Sequence, residues 1–493
     1  LVSFLVMLLV SAVLSVLAAT YDIDAFGGRS SDPSATWVNA AALTAALAAA
    51  QSGDTVLVKA GKTYYMQSVH ASDRHGITIN FAGQILVDNN ITAWPSKKHM
   101  SWFLLGNSSN VLITGDGGVI DGQGMPWWDA AVTGSVPGLV DRPHLFLIEN
   151  VTDLILEKLV LLNSPQWHVK FSECARVIVR YLTINVDRFA QRSLKARSHS
   201  KRLSALGPHV APHAWKIARR LYGLDGDWRD WLLDQLVKLL PAWALQPEDL
   251  NTDGIDPNGV DFHVHDCTIN NDDDSIAVKP LDASHLYPCS ERMLFERLTL
   301  TGFGASVGSV PPHADVNCVR NLTFRNISMP GTGKGIYIKS NPSCGLAINR
   351  FGLHVPKTAV LEGILFEDIH ISRPSWWAIW IGPQQQHEPN TDLGDKCALV
   401  YPINDHCPTQ GCATFHNITL RRVSIDEPLL SPGVILGNAS NPMAGVMLDE
   451  VDVTFGSDPR SGSYPWGRQY LCQNADVQVA GGTSPAPICT SVQ

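Results

Sequence analysis

From residue 111 onward, short runs of β-branched and apolar residues recur, each closed by Gly, Asn, Asp or Pro. They read Val111-Leu-Ile-Thr114, Leu154-Ile-Leu156, Val177-Ile-Val179, Phe262-His-Val264, Met293-Leu-Phe295, Leu322-Thr-Phe324, Gly363-Ile-Leu-Phe366, Ile418-Thr-Leu420 and Val446-Met-Leu448. Several are followed by a second apolar triplet, so residues 262–269, 293–300, 322–329 and 364–371 repeat one pattern. Runs of this length between turn formers are strands. Their irregular spacing, roughly 20 to 50 residues, suits a solenoid with variable loops better than a propeller with uniform blades. In a parallel β-helix the strands of successive coils pair at about 4.8 Å and the inward positions form one apolar stack. An antiparallel sandwich is the competing architecture, and nine such runs strain it.

Two segments depart from this pattern before and within the repeats. Residues 37–50 are Ala-rich with helical periodicity, followed by Gly53, an apolar strand over 55–59 and the turn Ala60-Gly61, as expected for a helix capping the first coil. Residues 187–249 interrupt the repeat with eleven Lys or Arg and an amphipathic helical run over 228–240. That stretch reads as an insertion, either a tolerated loop or a retained non-coding segment, with a surface helix touching anionic polysaccharide or membrane as a further option. Residues 1–19 are apolar and end in Ala18-Ala19, which reads as a signal peptide. Residues 20–493 are then expected to form a single domain.

Composition narrows the function. Of 493 residues, 45% are hydrophobic and 17% charged, which excludes a disordered chain. A net charge of −9 argues against a nucleic-acid partner held by counterion release. Seven N-x-S/T sequons (Asn90, Asn107, Asn150, Asn321, Asn326, Asn417, Asn438) accompany ten cysteines that lack zinc-ribbon C-x-x-C pairs. That combination suits an exported, disulfide-bonded glycoprotein, monomeric and without stable membrane association. Cysteine pairing does not follow from the sequence.

The chemistry concentrates in Asn251-Thr-Asp-Gly-Ile-Asp-Pro257 and Asn270-Asn-Asp-Asp-Asp-Ser-Ile-Ala-Val-Lys279. Asp253 and Asp273 lie 20 residues apart, so a coil of about that length places Asp253 on the rung next to Asp273 and Asp274. Sequence neighbours in a regular strand face opposite ways, so both Asp273 and Asp274 reach one cleft only at a bulge or turn. Clustered carboxylates repel, which leaves one protonated as a general acid beside a general base. A solvated Asp/Asn turn and a calcium loop compete, although residues 256–259 lack the ligand alternation of an EF-hand.

At these residues the chain resembles glycoside hydrolase family 28, the polygalacturonases and related pectin-backbone hydrolases. Asn251-Thr-Asp-Gly254 is similar to the family's N-T-D motif and Asp273-Asp-Ser-Ile-Ala277 to its D-D-x-I-A motif. Asp121-Gly-Gln-Gly124 with Trp127-Trp128, and Ser164-Pro-Gln-Trp167, fall where similar enzymes carry comparable segments. The resemblance implies an all-β fold, a right-handed parallel β-helix of the pectin lyase-like kind with an N-terminal capping helix. It also implies inverting hydrolysis of α-linked galacturonate-containing polysaccharide, with Asp273 as acid and Asp253 and Asp274 activating water. Asn251 and Lys339 would bind substrate, and no metal or cofactor is needed. Inverting carboxyls are expected about 6.5 to 9.5 Å apart.

Two positions depart from the family. Its G-H-G is Gly302-Phe303-Gly304 here, and its R-I-K is Tyr337-Ile338-Lys339, so an imidazole and a guanidinium are replaced by rings. Tyr337 and Phe303 are therefore expected beside substrate. Tyr337 would stack on, or donate to, a neutral, methyl-esterified or otherwise modified sugar. His313 is the candidate substitute imidazole, and Trp127, Trp128, Trp376, Trp377 and Trp380 are either sugar platforms or core. The competing functions are a catalytically weakened or inactive carbohydrate-binding β-helix, a hydrolase of modified pectin or rhamnogalacturonan, and, more remotely, a pectate lyase.

Overall fold

The computed structural model describes residues 18–94, 100–133, 142–191, 194, 250–281, 286–313, 317–341, 344–349, 351–385, 397, 401, 407–458 and 461–492. The proposed signal peptide, apart from Ala18 and Ala19, and nearly all of the 187–249 insertion, including its helical run, lie outside the described residues.

The nine runs that the hydrophobic pattern marks are successive rungs of one parallel ladder. Val111 pairs with Leu154, Leu154 with Val177, Val177 with Phe262, Phe262 with Met293, and Met293 with Leu322. The ladder continues through Ile364 and Ile418 to Val446. The second triplets form another ladder, in which Ile184 pairs with Ile269, Ile269 with Leu300, and Met329 with Ile371. The remaining ladder runs Phe146, Val169, Ile255, Ile276, Ala305, Ile336, Ile379 and Gly433. Three parallel ladders around one apolar column are a parallel β-helix.

Alternation supplies that column. Phe295, Phe324 and Phe366 point inward on consecutive rungs and stack face to face with centroids 4.4 Å apart. The corners that lead into the runs take left-handed backbone, a conformation that Asn, Asp and Gly adopt most readily. Asp153, Arg176, Asp261, Arg292, Asn321, Gly363, Asn417 and Gly445 all have φ between 51° and 64°. Where that column carries charged residues instead of Gly or Asn, they pair across rungs: Arg176 with Asp153 at 2.6 Å and Arg292 with Asp261 at 2.7 Å.

The capping helix spans Thr36–Ala49 and buries Ala40, Ala42, Leu43, Ala46 and Leu47. Buried Asn39 ties it down, donating to the carbonyls of Arg29 and Tyr65 and accepting from the Arg29 N–H at 2.7 Å. Four disulfides join Cys289–Cys318, Cys344–Cys412, Cys397–Cys407 and Cys472–Cys489, while Cys174 and Cys267 are buried thiols. Among the described residues no helix is long and apolar enough to cross a membrane.

Candidate active site

Asp253, Asp273 and Asp274 occupy the corner where the chain leaves one ladder for the next. Residues 271–275 bend between the strands Thr268–Asn270 and Ile276–Val278, and residues 251–254 precede the strand Ile255–Asp256. Ile255 pairs with Ile276, so one coil here is 21 residues, and the two acidic segments meet on adjacent rungs. The turn required for neighbouring aspartates to share a cleft is present.

Backbone and amide bonds fix this corner. The Gly254 N–H donates to the Asp274 carbonyl (2.9 Å) and the Phe303 N–H to that of Asp273 (2.8 Å). Buried Asn271 donates through Nδ2 to the carbonyls of Thr252 and Asp274, each at 3.0 Å. Gly302 lies against the bend at φ +52°, where a Cβ would stand 2.1 Å from the Asp273 carbonyl oxygen. Side-chain-free backbone is the physical requirement at that position.

One oxygen from each of the three carboxylates lies within 4.8 Å of the others. This is closer than the 6.5 to 9.5 Å expected of inverting carboxyls, so spacing alone does not fix the stereochemistry. The cluster lies below the surface, with Asp253, Asp273 and Asp274 exposed by 3%, 2% and 1%. Lys339 Nζ donates to Asp274 Oδ2 at 2.8 Å, and Ser306 Oγ donates to Oδ1 at 2.6 Å. Lys279 Nζ stands 3.6 Å from Asp253 Oδ2, 3.6 Å from Asp256 Oδ2 and 4.0 Å from Asp274 Oδ2. The three-oxygen arrangement is of a kind that holds cations, and here the two ammoniums supply positive charge to it.

These neighbours push the carboxyls apart in acidity. Burial, then the charges of Asp256 and Asp273, raise Asp253 well above the usual carboxylate range. Burial would also raise Asp274, but the Lys339 and Lys279 charges and the bonds from Lys339 and Ser306 hold it below its ordinary value. Asp274 is thus the ionised member and Asp253 the one pressed to keep a proton, the division that acid–base chemistry uses.

Several groups escaped the sequence reading. Asp256, wholly buried, is a fourth carboxylate, raised to about 6 by burial against the opposing charge of Lys279. Lys279 closes the aspartate motif itself, which was its available signal. Buried Arg142 donates to the carbonyls of Pro165 and Leu250 at 2.6 Å and reaches Asn251 Oδ1 at 3.5 Å, which places Asn251 at the cluster's edge. The imidazole touching the cluster's backbone is His168, whose Nδ1 meets the Asp253 carbonyl at 2.9 Å and which burial lowers to about 4. His313 instead pairs in a backbone bridge with Thr358.

Phe303 and Tyr337 are both 0% exposed. They join Trp376, Trp377, Trp380, Val434 and Leu436 in a second apolar cluster. The Tyr337 hydroxyl accepts the Gln385 N–H at 2.8 Å. Trp127 and Trp128 are likewise buried, so all five of these tryptophans are packing residues in this conformation.

The sequence profile described as glycosyl hydrolases family 28 matches residues 50–192 and 243–373. A "Probable polygalacturonase" of Vitis vinifera is 28% identical over 149 residues, 27% of this chain and 30% of that protein. The chain spans about a third or less of the length of the curated relatives it matches. Endo-xylogalacturonan hydrolase from Aspergillus tubingensis superposes with a TM-score of 0.60 at 18% identity, over 94% of this chain and 100% of that one. Polygalacturonase from Erwinia carotovora ssp. carotovora gives 0.59 at 18% identity, over 94% and 96%.

Proposed function

Since the chain belongs to glycosyl hydrolases family 28, we propose that it is a secreted enzyme hydrolysing α-linked galacturonate-containing pectic polysaccharide by single displacement with inversion. The carrying observation is the corner that gathers Asp253, Asp273 and Asp274 while Lys339 pins one of them. In this reading Asp273 protonates the leaving glycosidic oxygen. Asp274, kept ionised by Lys339, accepts the proton of the attacking water, while Asp253, pressed to keep its own proton, orients that water through a hydrogen bond. Four disulfides support export. The family's match to polygalacturonases and the fold's match to a xylogalacturonan hydrolase leave the decorated and undecorated backbones as the substrates to compare.

The test is reducing-end release from polygalacturonate, its methyl ester, xylogalacturonan and rhamnogalacturonan, with the anomeric outcome read by NMR. Asp273→Asn should lower kcat by about 10² to 10⁴ without altering the fold. Unchanged turnover would remove Asp273 from the mechanism, and retention of configuration would remove single displacement. One observation favours a carbohydrate-binding protein without catalysis, namely the near-complete burial of all three carboxylates. Polymer binding without reducing-end release would establish that reading instead.

A further inference from the structure

Trp167 is partly buried and lies where the chain enters the rung before Asp253 and Asp256. One of its contacts is His144, stacked at 5.1 Å and 17°. Two ammoniums also approach its ring, Lys170 Nζ at 4.9 Å and Lys279 Nζ at 5.3 Å from the centroid. Lys170 pairs in register with Asp256, so its place on the ladder is set by the sheet and not by a loop.

The donors there are unequally engaged. Lys279 is shared among Asp253, Asp256 and Asp274. Among the described residues Lys170 has no ion pair within 4.0 Å and the buried Trp167 Nε1 has no hydrogen-bond acceptor. Burial lowers Lys170 from its ordinary value, Asp256 and Glu149 pull it back up, and Lys279 adds to the lowering. An ammonium desolvated in this way gains from an incoming anion. The Trp167 ring approaches both ammoniums without neutralising either.

We propose that Lys170 and Lys279, seated on Trp167, form a carboxylate-binding subsite that receives a uronate residue one rung from the acidic cluster. The proposal rests on the pectic-hydrolase reading above and adds what selects the sugar. Tyr337, buried with its hydroxyl occupied, leaves the uronate to this pair of ammoniums. Lys279 then contacts both the sugar carboxylate and Asp253, so subsite and cluster are continuous.

The experiment compares wild type, Lys170→Met and Lys170→Arg on unesterified polygalacturonate and on its methyl ester. Lys170→Met should lower the preference for the unesterified polymer, as a ratio of kcat/KM values, by about tenfold, with the loss carried by KM. Lys170→Arg should restore most of it. An unchanged ratio for Lys170→Met, or a loss confined to kcat, overturns the subsite. If the wild type hydrolyses neither polymer, the enzymatic reading fails, and calorimetric titration with trigalacturonate tests the subsite separately. Binding by wild type that weakens at least about fivefold in Lys170→Met supports it, whereas equal binding or none overturns it.

Discussion

Lys339 and Asp274, 65 positions apart in sequence, meet at 2.8 Å with both side chains 1% exposed. An ion pair this deep is weak evidence for stability, because both charges were taken out of water to form it. Removing one partner is a different matter. Lys339→Met should destabilise the fold by about 3 kcal/mol in urea titration, because it leaves a buried carboxylate supported, among the described residues, by Ser306 and the more distant Lys279. The double variant Lys339→Met with Asp274→Asn should regain most of that stability but not activity. A double variant no more stable than Lys339→Met would show that the pair is not the source of the loss.

Asp256 gives a pH prediction of opposite sign to most aspartates. An unfolded aspartate titrates near about 4, whereas burial holds Asp256 up to about 6. The native chain therefore binds a proton in that interval that the unfolded chain has released. Wild-type stability is favoured at low pH and lost as pH rises through about 6. Asp256→Asn should raise Tm above pH 6, with the gain vanishing toward pH 4. A pH-independent difference in Tm would refute this.

The outer ion pairs predict the reverse. Arg297 and His265 hydrogen bonds, outweighing burial, lower Asp266 to about 2. Burial would raise Glu296, but Arg297, Arg325 and His263 bring it too to about 2. Their contribution is present above the unfolded value and is lost as pH falls from about 4 to about 2. Arg297→Gln should thus show its Tm deficit at neutral pH and lose it near pH 2, a modest effect because Asp266 and Arg297 are partly solvated.

Gly302 tests the corner itself. At φ +52°, with the Asp273 carbonyl 2.1 Å from a would-be Cβ, Gly302→Ala must move the bend or strain it. We expect a loss of about 2 kcal/mol together with reduced turnover, since Asp273 moves with its carbonyl. Gly331→Ala also places a side chain at positive φ (+60°) but meets nothing within 4 Å, and should affect stability alone. Equal turnover loss in both would mean that the corner does not position the acid.

Residue order alone determined the period, the inward positions and the acidic pair. Phe262, Met293 and Leu322 are apolar because each faces the same column, and local alternation records that. The 20-residue interval between Asp253 and Asp273 likewise recorded a coil, since no long loop intervenes between those rungs. Sequence could not reveal which outward faces meet solvent. Tyr337 and Phe303 sit at positions that sequence placed beside substrate, yet the outer face of that ladder carries a second apolar cluster with Trp377 and Trp380. Nor could it reveal that Lys170, Trp167 and Lys279 converge, because a long stretch of sequence separates Val169 from Ile255 while the ladder makes them neighbours. Local pattern encodes which way a side chain points relative to its own strand; register and overlying segments decide what it meets.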